Sequence, residues 1–326
     1  MKEHIISELK GGSLSKTILI KKNNKKFIRK LIDIEKNREF GFYRWLSQLK
    51  KIQRLNNVFP RLFPKVLRSG LINKSYFFDI EYFSRSKNCY EYLINEKNTK
   101  KINLIFEKII KNLNMLNNIK YPSVNDSHKI YFNEEIKRRI IHFKNNKKGK
   151  NFINYKEYEI NGKKIKNSIN KIISWLDTNT LDFKTSRECY THGNLTLENI
   201  LFIPSKNRIV FIDPYEENFV DSSYQEISQL LQSCNSHYEL LCNTKVTINK
   251  NILNFNCVVP TGLKTFNKYL KKYIDMNFST KEKQIIKFYE MAQFIRMLPF
   301  KLENDPDRAK LFFVLAIKIF NNEIYE

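Results

Sequence analysis

Apolar and polar positions alternate with period two in short stretches near the amino terminus, then recur at helical spacing through most of the remainder. Ile5 to Leu9, Thr17 to Ile20 and Phe27 to Ile32 read as strands, separated by Gly11-Gly12-Ser13 and by Asn23-Asn24, both turn signals. Phe40, Tyr43, Leu46 and Leu49 then predict a helix, and Tyr76 to Phe83 has the alternation and aromatic content of a strand leading into a hinge. From Asn88 onward the character turns helical. Ile102, Ile105, Ile109, Leu113 and Leu116 form one amphipathic stripe and Asn133 to Phe143 another. Lys144 to Lys150 reads as a solvated basic loop, and Asn161-Gly162 as a turn before a helix carrying Ile169, Ile172, Ile173 and Leu176 and ending before Asp177. Asp221 opens a segment whose Ile227, Leu230 and Leu231 predict a helix. Ser279 with Glu282 is a capping-box pattern, and Asp305-Pro306 starts the last helix. The pattern predicts an α+β chain: a small β-rich lobe over residues 1–82, with an antiparallel sheet, a Gly turn and one helix, then a larger, mainly helical lobe over 83–326.

Bulk properties narrow this picture only in places. A chain of 326 residues with 42% apolar and 13% aromatic content has enough material for two packed cores. The net charge of +25 would attract polyanions, but it is spread along the chain and rich in residues with A/T-rich codons. It is read as solvated surface rather than a nucleic-acid face, since no basic cluster accompanies a reading motif. Five cysteines without a CxxC pair fit free thiols in a reducing cytosol. A polar start and the absence of 18 consecutive apolar residues predict a cytoplasmic chain with no membrane span.

Candidate chemistry concentrates between Tyr190 and Ser233. His192-Gly193 is followed by Asn194 to Asn199, and then the apolar run Arg208 to Ile212 ends in Asp213. The polar residues fall at the end of one extended segment and the start of another, so a β-hairpin would bring the two loops side by side. Asn199 and Asp213 offer the oxygen ligands that Mg²⁺ prefers, leaving positions for phosphate and water. That is the metal half of a phosphoryl-transfer site.

His192, Gly193, Asn199, Ile212 and Asp213 match in order and spacing the catalytic and metal loops of the aminoglycoside/choline phosphotransferase family, which the stretch resembles. Asp213-Pro214, the run Leu230 to Ser233, and Arg296 to Pro299 are similar to phosphotransferase-like proteins of bacterial capsule and surface-polysaccharide loci. The resemblance implies a protein-kinase-like two-lobed fold that uses ATP, or another NTP, with Mg²⁺ to modify a small hydroxylated acceptor. It also implies a third-strand lysine that meets nucleotide phosphates. Alternation puts Lys30 on the same face as Ile28, so Lys30 is the choice and Arg29 is expected to face solvent. Glu39, or else Glu35, could hold Lys30, and either could equally be a solvated helix-surface residue. The turn at Gly11, Gly12 and Ser13 could let backbone amides approach a phosphate, although an ordinary hairpin needs the same residues. Backbone groups at Glu81 to Phe83 could bind an adenine edge or simply belong to the core. An Asp near residue 221 braces the catalytic loop in that family. Asp221 or Glu226 is the candidate, with an N-cap the simpler reading of Asp221.

One position departs from the pattern: Asn194 stands where the family has its catalytic Asp. A carboxamide oxygen can orient a hydroxyl but cannot take its proton near neutral pH. Loss of a general base typically costs about 10²–10⁴ in rate. Two expectations follow: a weakened phosphotransferase acting on a sugar-like molecule, and a pseudokinase-like module that binds nucleotide or a protein partner. His192 and Asn194 are the candidate catalytic residues, and the ordinary work of such a histidine is hydrogen bonding within the loop. Arg296 is expected to pair with a carboxylate rather than with an anionic substrate.

Overall fold

Strands β1 (His4–Leu9), β2 (Lys16–Lys22), β3 (Lys25–Asp33), β4 (Val66–Ile72) and β5 (Ser75–Glu81) form one antiparallel sheet in the order β1-β2-β3-β5-β4. The computed structural model describes residues 3–9, 15–121, 130–178, 188–215, 218 and 220–323, without the side chains of 34, 36–40, 322 and 323. The Gly11-Gly12-Ser13 turn lies outside the described residues. Asn23 and Asn24, at φ 49° and 60°, make the tight β2–β3 connection, the two-residue geometry that favours asparagine and matches strand twist.

Helix α1 (Ile34–Val58) follows β3 directly and packs Trp45, Leu49 and Ile52 on Ile32, Phe78 and Ile80. This is the face to which alternation sends Ile28, Lys30 and Ile32. On the opposite face Arg29 is buried rather than solvent-facing, correcting that expectation. Its Nε and Nη2 donate to the two oxygens of Asp79 at 2.7 and 3.0 Å, its Nη1 donates to Glu3 at 2.7 Å, and Arg68 Nε donates to Asp79 at 2.5 Å. Arg68 also bonds Glu3. The guanidinium of Arg29 lies 4.6 Å from the Phe77 ring centroid, so the charge cluster also rests on an aromatic side chain of β5. Hydrogen bonding from Arg29, against the opposing effect of burial, holds the Glu3 carboxyl down at about 2.

Strand β6 (Lys87–Asn88) pairs with β7 (Ile200–Ile203), which forms an antiparallel hairpin with β8 (Arg208–Phe211). A short turn at Pro204–Lys206 and the left-handed Asn207, φ 46°, close it. Phe83, Ile203 and Val210 pack together beneath it. Phe211 N donates to Leu62 O at 2.8 Å, and Arg208 Nε to Arg61 O at 2.9 Å, tying the hairpin to the segment after α1. Accordingly the chain divides into two compact units, Met1–Tyr92 with His192–Asn218, and Leu93–Thr191 with Phe219–Glu326. The hairpin belongs to the unit that holds the amino-terminal sheet.

The second unit is mainly helical. Its labelled helices are α2 (Thr99–Asn117), α3 (Ser223–Cys234), α4 (Thr261–Asn277), α5 (Thr280–Arg296) and α6 (Pro306–Glu323). All five stripe positions expected on α2 are buried, and Asn98 caps it by accepting from Lys100 and Lys101. The Ser279–Glu282 capping box forms at α5, and Phe288 and Phe294 of α5 share a core with Phe312 and Phe313 of α6. Two features differ from expectation. The stretch Lys144 to Lys150 is helical on both sides of Asn146 rather than a loop: Lys144 lies in the last turn of the helix Arg138–Asn145, and Asn146 Oδ1 accepts from Lys148 N at 2.9 Å to cap the helix Lys147–Ile153, which buries Phe152 and Ile153. A four-stranded sheet is also present, in the order Val246–Asn249, Ile252–Phe255, Glu157–Ile160 and Lys163–Lys166. Among the described residues no helix is long and apolar enough to cross a membrane. The five cysteines are free thiols.

Candidate active site

The hairpin register sets the geometry. Ile200 pairs with Phe211, so Asn199 and Ile212 leave the open end opposite each other, and Ile212 N donates to Asn199 O at 2.9 Å. Asp213 comes next, at φ 58°, a left-handed conformation that Asp tolerates better than most residues. The Asn199 amide is oriented by Nδ2 donating to Asn194 O at 2.8 Å. A carbonyl only accepts, so Nδ2 is committed and Oδ1 has no bond among the described residues.

His192 fastens the two loops. Asn194 N donates to Nδ1 at 3.2 Å, which fixes the neutral tautomer, and Nε2–H donates to Ile212 O at 2.7 Å. Tyr215 N returns to His192 O at 3.0 Å. The ring is fully buried and stacked near Phe63, and burial pushes its pKa down to about 3. Gly193, at φ 81°, sits where an added Cβ would lie 2.4 Å from Asn218 Nδ2, so this position requires glycine. The Asn194 carboxamide is half-buried and makes no hydrogen bond among the described residues.

The sheet and α1 reach the same place. Lys30, 7% exposed, donates its ammonium to Asp213 Oδ1. Gln48 Nε2 donates to that same oxygen at 2.7 Å and to Pro214 O at 3.3 Å, and Lys51 Nζ donates to Tyr215 O at 2.6 Å. Burial pushes the Asp213 carboxyl up, but the charge and hydrogen bond of Lys30, with the bond from Gln48, outweigh it and hold the group below the usual carboxylate range. Its Oδ2 has no hydrogen bond among the described residues.

Lys30, His192, Asn194, Asn199 and Asp213 therefore belong to one unit, and α1 adds Gln48 and Lys51, which no motif in the sequence marks. Their helical spacing of three was visible, but a polar pair on a helix most often meets water. Glu35 pairs with exposed Lys74 at 2.7 Å, and the side chain of Glu39 lies outside the described residues. At the expected hinge, Glu81 N donates to Lys65 O at 3.0 Å, and Phe83 O accepts from Ser86 Oγ at 2.8 Å, so both groups are engaged. In the second unit, Asp221 accepts from Tyr121 Oη at 2.5 Å and from Thr191, the residue before His192. Ser222, rather than Asp221, caps α3. Arg296 Nε pairs with Glu135 at 2.8 Å.

No group of three or more His, Cys, Asp or Glu side chains that could hold a metal occurs among the described residues. Asp213 Oδ2 and Asn199 Oδ1 are hard oxygen donors and fit a divalent cation that takes its remaining ligands from phosphate and water.

No protein-family model matches the chain, and no curated protein matches its sequence. Solved structures are similar in fold. The provisionally named fructosamine-3-kinase of Haemophilus somnus 129PT is 13% identical, with 98% of this chain and 91% of that one covered at a TM-score of 0.59. A thermostable mutant of aminoglycoside phosphotransferase APH(4)-Ia, in ternary complex with AMP-PNP and hygromycin B, is 8% identical over 98% and 96% of the two chains, also at 0.59. Another structure of APH(4)-Ia gives 0.56 at 8% identity over 98% and 94%. At such identities the likeness establishes the fold, a protein-kinase-like α+β fold shared with small-molecule phosphotransferases.

Proposed function

We propose that this chain is an ATP- and Mg²⁺-binding protein of aminoglycoside/choline phosphotransferase descent, related to those of surface-polysaccharide loci. In this reading it works in the cytoplasm on a small, sugar-like hydroxylated acceptor, with catalysis weakened by Asn194. The observation that carries the reading is the convergence of Lys30, Asn199 and Asp213, with the Asn199 amide oriented by the backbone of Asn194 itself. Asp213 and Asn199 would hold Mg²⁺, which when bound offsets the charge of the transferring phosphate. Lys30 would move from Asp213 to the phosphates. In the transfer the acceptor oxygen bonds the γ-phosphorus as the bridging P–O bond breaks and ADP leaves. Asn194 would orient the acceptor hydroxyl, whose proton would pass to phosphate or solvent. His192, neutral and bonded at both nitrogens, would position the loops without moving a proton.

The departure at Asn194 favours a second reading, a pseudokinase-like module that binds nucleotide or a protein partner. A Mg·ATP thermal-shift titration tests the shared part, with stabilisation expected in the native chain and lost in Asp213→Ala and Lys30→Ala. ADP release from Asn194→Asp then separates the two. A rise of about 10²–10⁴ over a measurable native rate supports the slow enzyme. Turnover found only in the variant identifies a disabled enzyme, and no stabilisation of the native chain by nucleotide refutes the phosphotransferase and leaves only a module that binds a protein partner.

A further inference from the structure

We propose that the face of the amino-terminal sheet turned away from α1 carries a second binding site, for a phosphate-bearing anion, built by Lys22, Lys25, Lys26 and Arg68. The site goes beyond the nucleotide reading and does not depend on it. It is a concavity of about 630 Å³ at the Asn23-Asn24 end of β2 and β3, lined also by Phe27 and Tyr82. That volume is in the range that takes a small ligand. Every residue of it lies in the unit that holds the sheet. Lys22 and Lys25 share their face with Phe27 and Arg29, opposite the face of Lys30.

The hairpin register brings like charges together. Lys22 pairs with Lys25, and Lys21 with Lys26, on the two strands that leave the turn. Like charges directly opposite each other destabilise a strand pair. Neighbouring carboxylates do not relieve these. Asp79 is engaged through both oxygens by Arg29 and Arg68, and Glu3 is bonded by the same two guanidinium groups and reaches Lys22 at 3.4 Å. Lys25 and Lys26 have no carboxylate partner among the described residues, and Lys26 Nζ lies 5.9 Å from the Tyr82 ring centroid. Glu81, exposed at the rim, makes no ion pair among the described residues. On β1, Glu8 is balanced by Lys16 at 2.8 Å. Lys22, Lys25, Lys26, Arg29 and Arg68 therefore outnumber Glu3, Asp79 and Glu81 by two. Arg68 is also held in place, 5.5 and 5.6 Å from the Phe27 and Phe77 ring centroids, and its Nη1 makes no hydrogen bond among the described residues. A phosphate dianion matches this surplus, since its oxygens accept from ammonium and guanidinium donors at once.

Calorimetric titration with pyrophosphate tests this in a Lys30→Met background, which removes the buried lysine of the opposite face from the comparison. Two triple variants with equal charge loss are compared, and circular dichroism confirms that each is folded. One carries Lys22→Gln, Lys25→Gln and Lys26→Gln. The other carries Lys147→Gln, Lys148→Gln and Lys150→Gln, exposed residues of the second unit. The hairpin triple is expected to weaken binding by about tenfold or more, as charge-assisted hydrogen bonds are lost. The distant triple should change it by less than about twofold at 0.15 M salt, which screens charges beyond about 8 Å. Co-sedimentation with phosphatidic acid vesicles, read against phosphatidylcholine vesicles, separates a lipid headgroup from a free phosphorylated molecule. Pyrophosphate bound through the hairpin lysines, without vesicle binding, assigns a soluble ligand. Vesicle binding that the hairpin triple abolishes assigns a headgroup. If neither probe binds, or if the two triples weaken binding equally, the proposal is overturned.

Discussion

His192 makes folding stability depend on pH in a window where few other groups titrate. Its ring is fully buried and bonded at both nitrogens as the neutral form, and burial pushes its pKa to about 3, against about 6.5 in an unfolded chain. A depressed histidine pKa means that the unfolded state binds the proton first. The stability contributed is fully present above about pH 6.5 and is lost as pH falls toward 3. At 1.36 kcal/mol per unit, the loss between pH 7 and pH 5 is about 2 kcal/mol. His237 is also lowered by burial and adds to the slope, so the comparison must be with His192→Gln, in which His237 is unchanged. The chain has two tryptophans, and a Trp175→Phe background leaves Trp45 to report the unit that holds His192. Urea unfolding followed by Trp45 fluorescence at pH 7 and pH 5 should show the His192 protein losing about 2 kcal/mol more than the His192→Gln protein. Equal losses would refute the assignment of a buried, neutral imidazole.

Gly193→Ala combines a left-handed φ with a Cβ placed 2.4 Å from Asn218 Nδ2. A loss of about 1–3 kcal/mol is expected in the same unfolding assay, with the steric part recovered when Asn218→Ala is added. Asp79→Ala removes three guanidinium bonds and leaves buried Arg29 with Glu3 as its remaining carboxylate. That should cost about 3–5 kcal/mol, read as a lower denaturant midpoint, since breaking a buried pair strands a charge.

The parts of this molecule that could be read from sequence are those with local causes. Asn23-Asn24 marked its hairpin because left-handed pairs suit asparagine, and the α2 stripe from Ile102 to Leu116 marked its buried face through spacing alone. Asn199 and Asp213 were legible as a pair because each flanks a four-residue strand of one hairpin. Strand β4 was not, since Val66 to Ile72 is an exposed edge interrupted by Arg68, Ser69 and Gly70 and shows no clean alternation. Parity found Lys30, yet the same parity misplaced Arg29, whose burial depends on Asp79, 50 residues away, and on Glu3. Gln48 and Lys51 were hidden for the same reason: what makes them part of the site is Asp213 and Tyr215, some 165 residues along the chain. Contacts of that range leave no periodic trace.

The most direct test of the central claim is a crystal structure of the native chain grown with Mg·AMP-PNP. A cation bound by Asn199 Oδ1 and the Asp213 carboxylate is expected, with Lys30 moved onto the phosphates. A nucleotide seated away from these residues, or a cation that touches neither Asn199 nor Asp213, would contradict it.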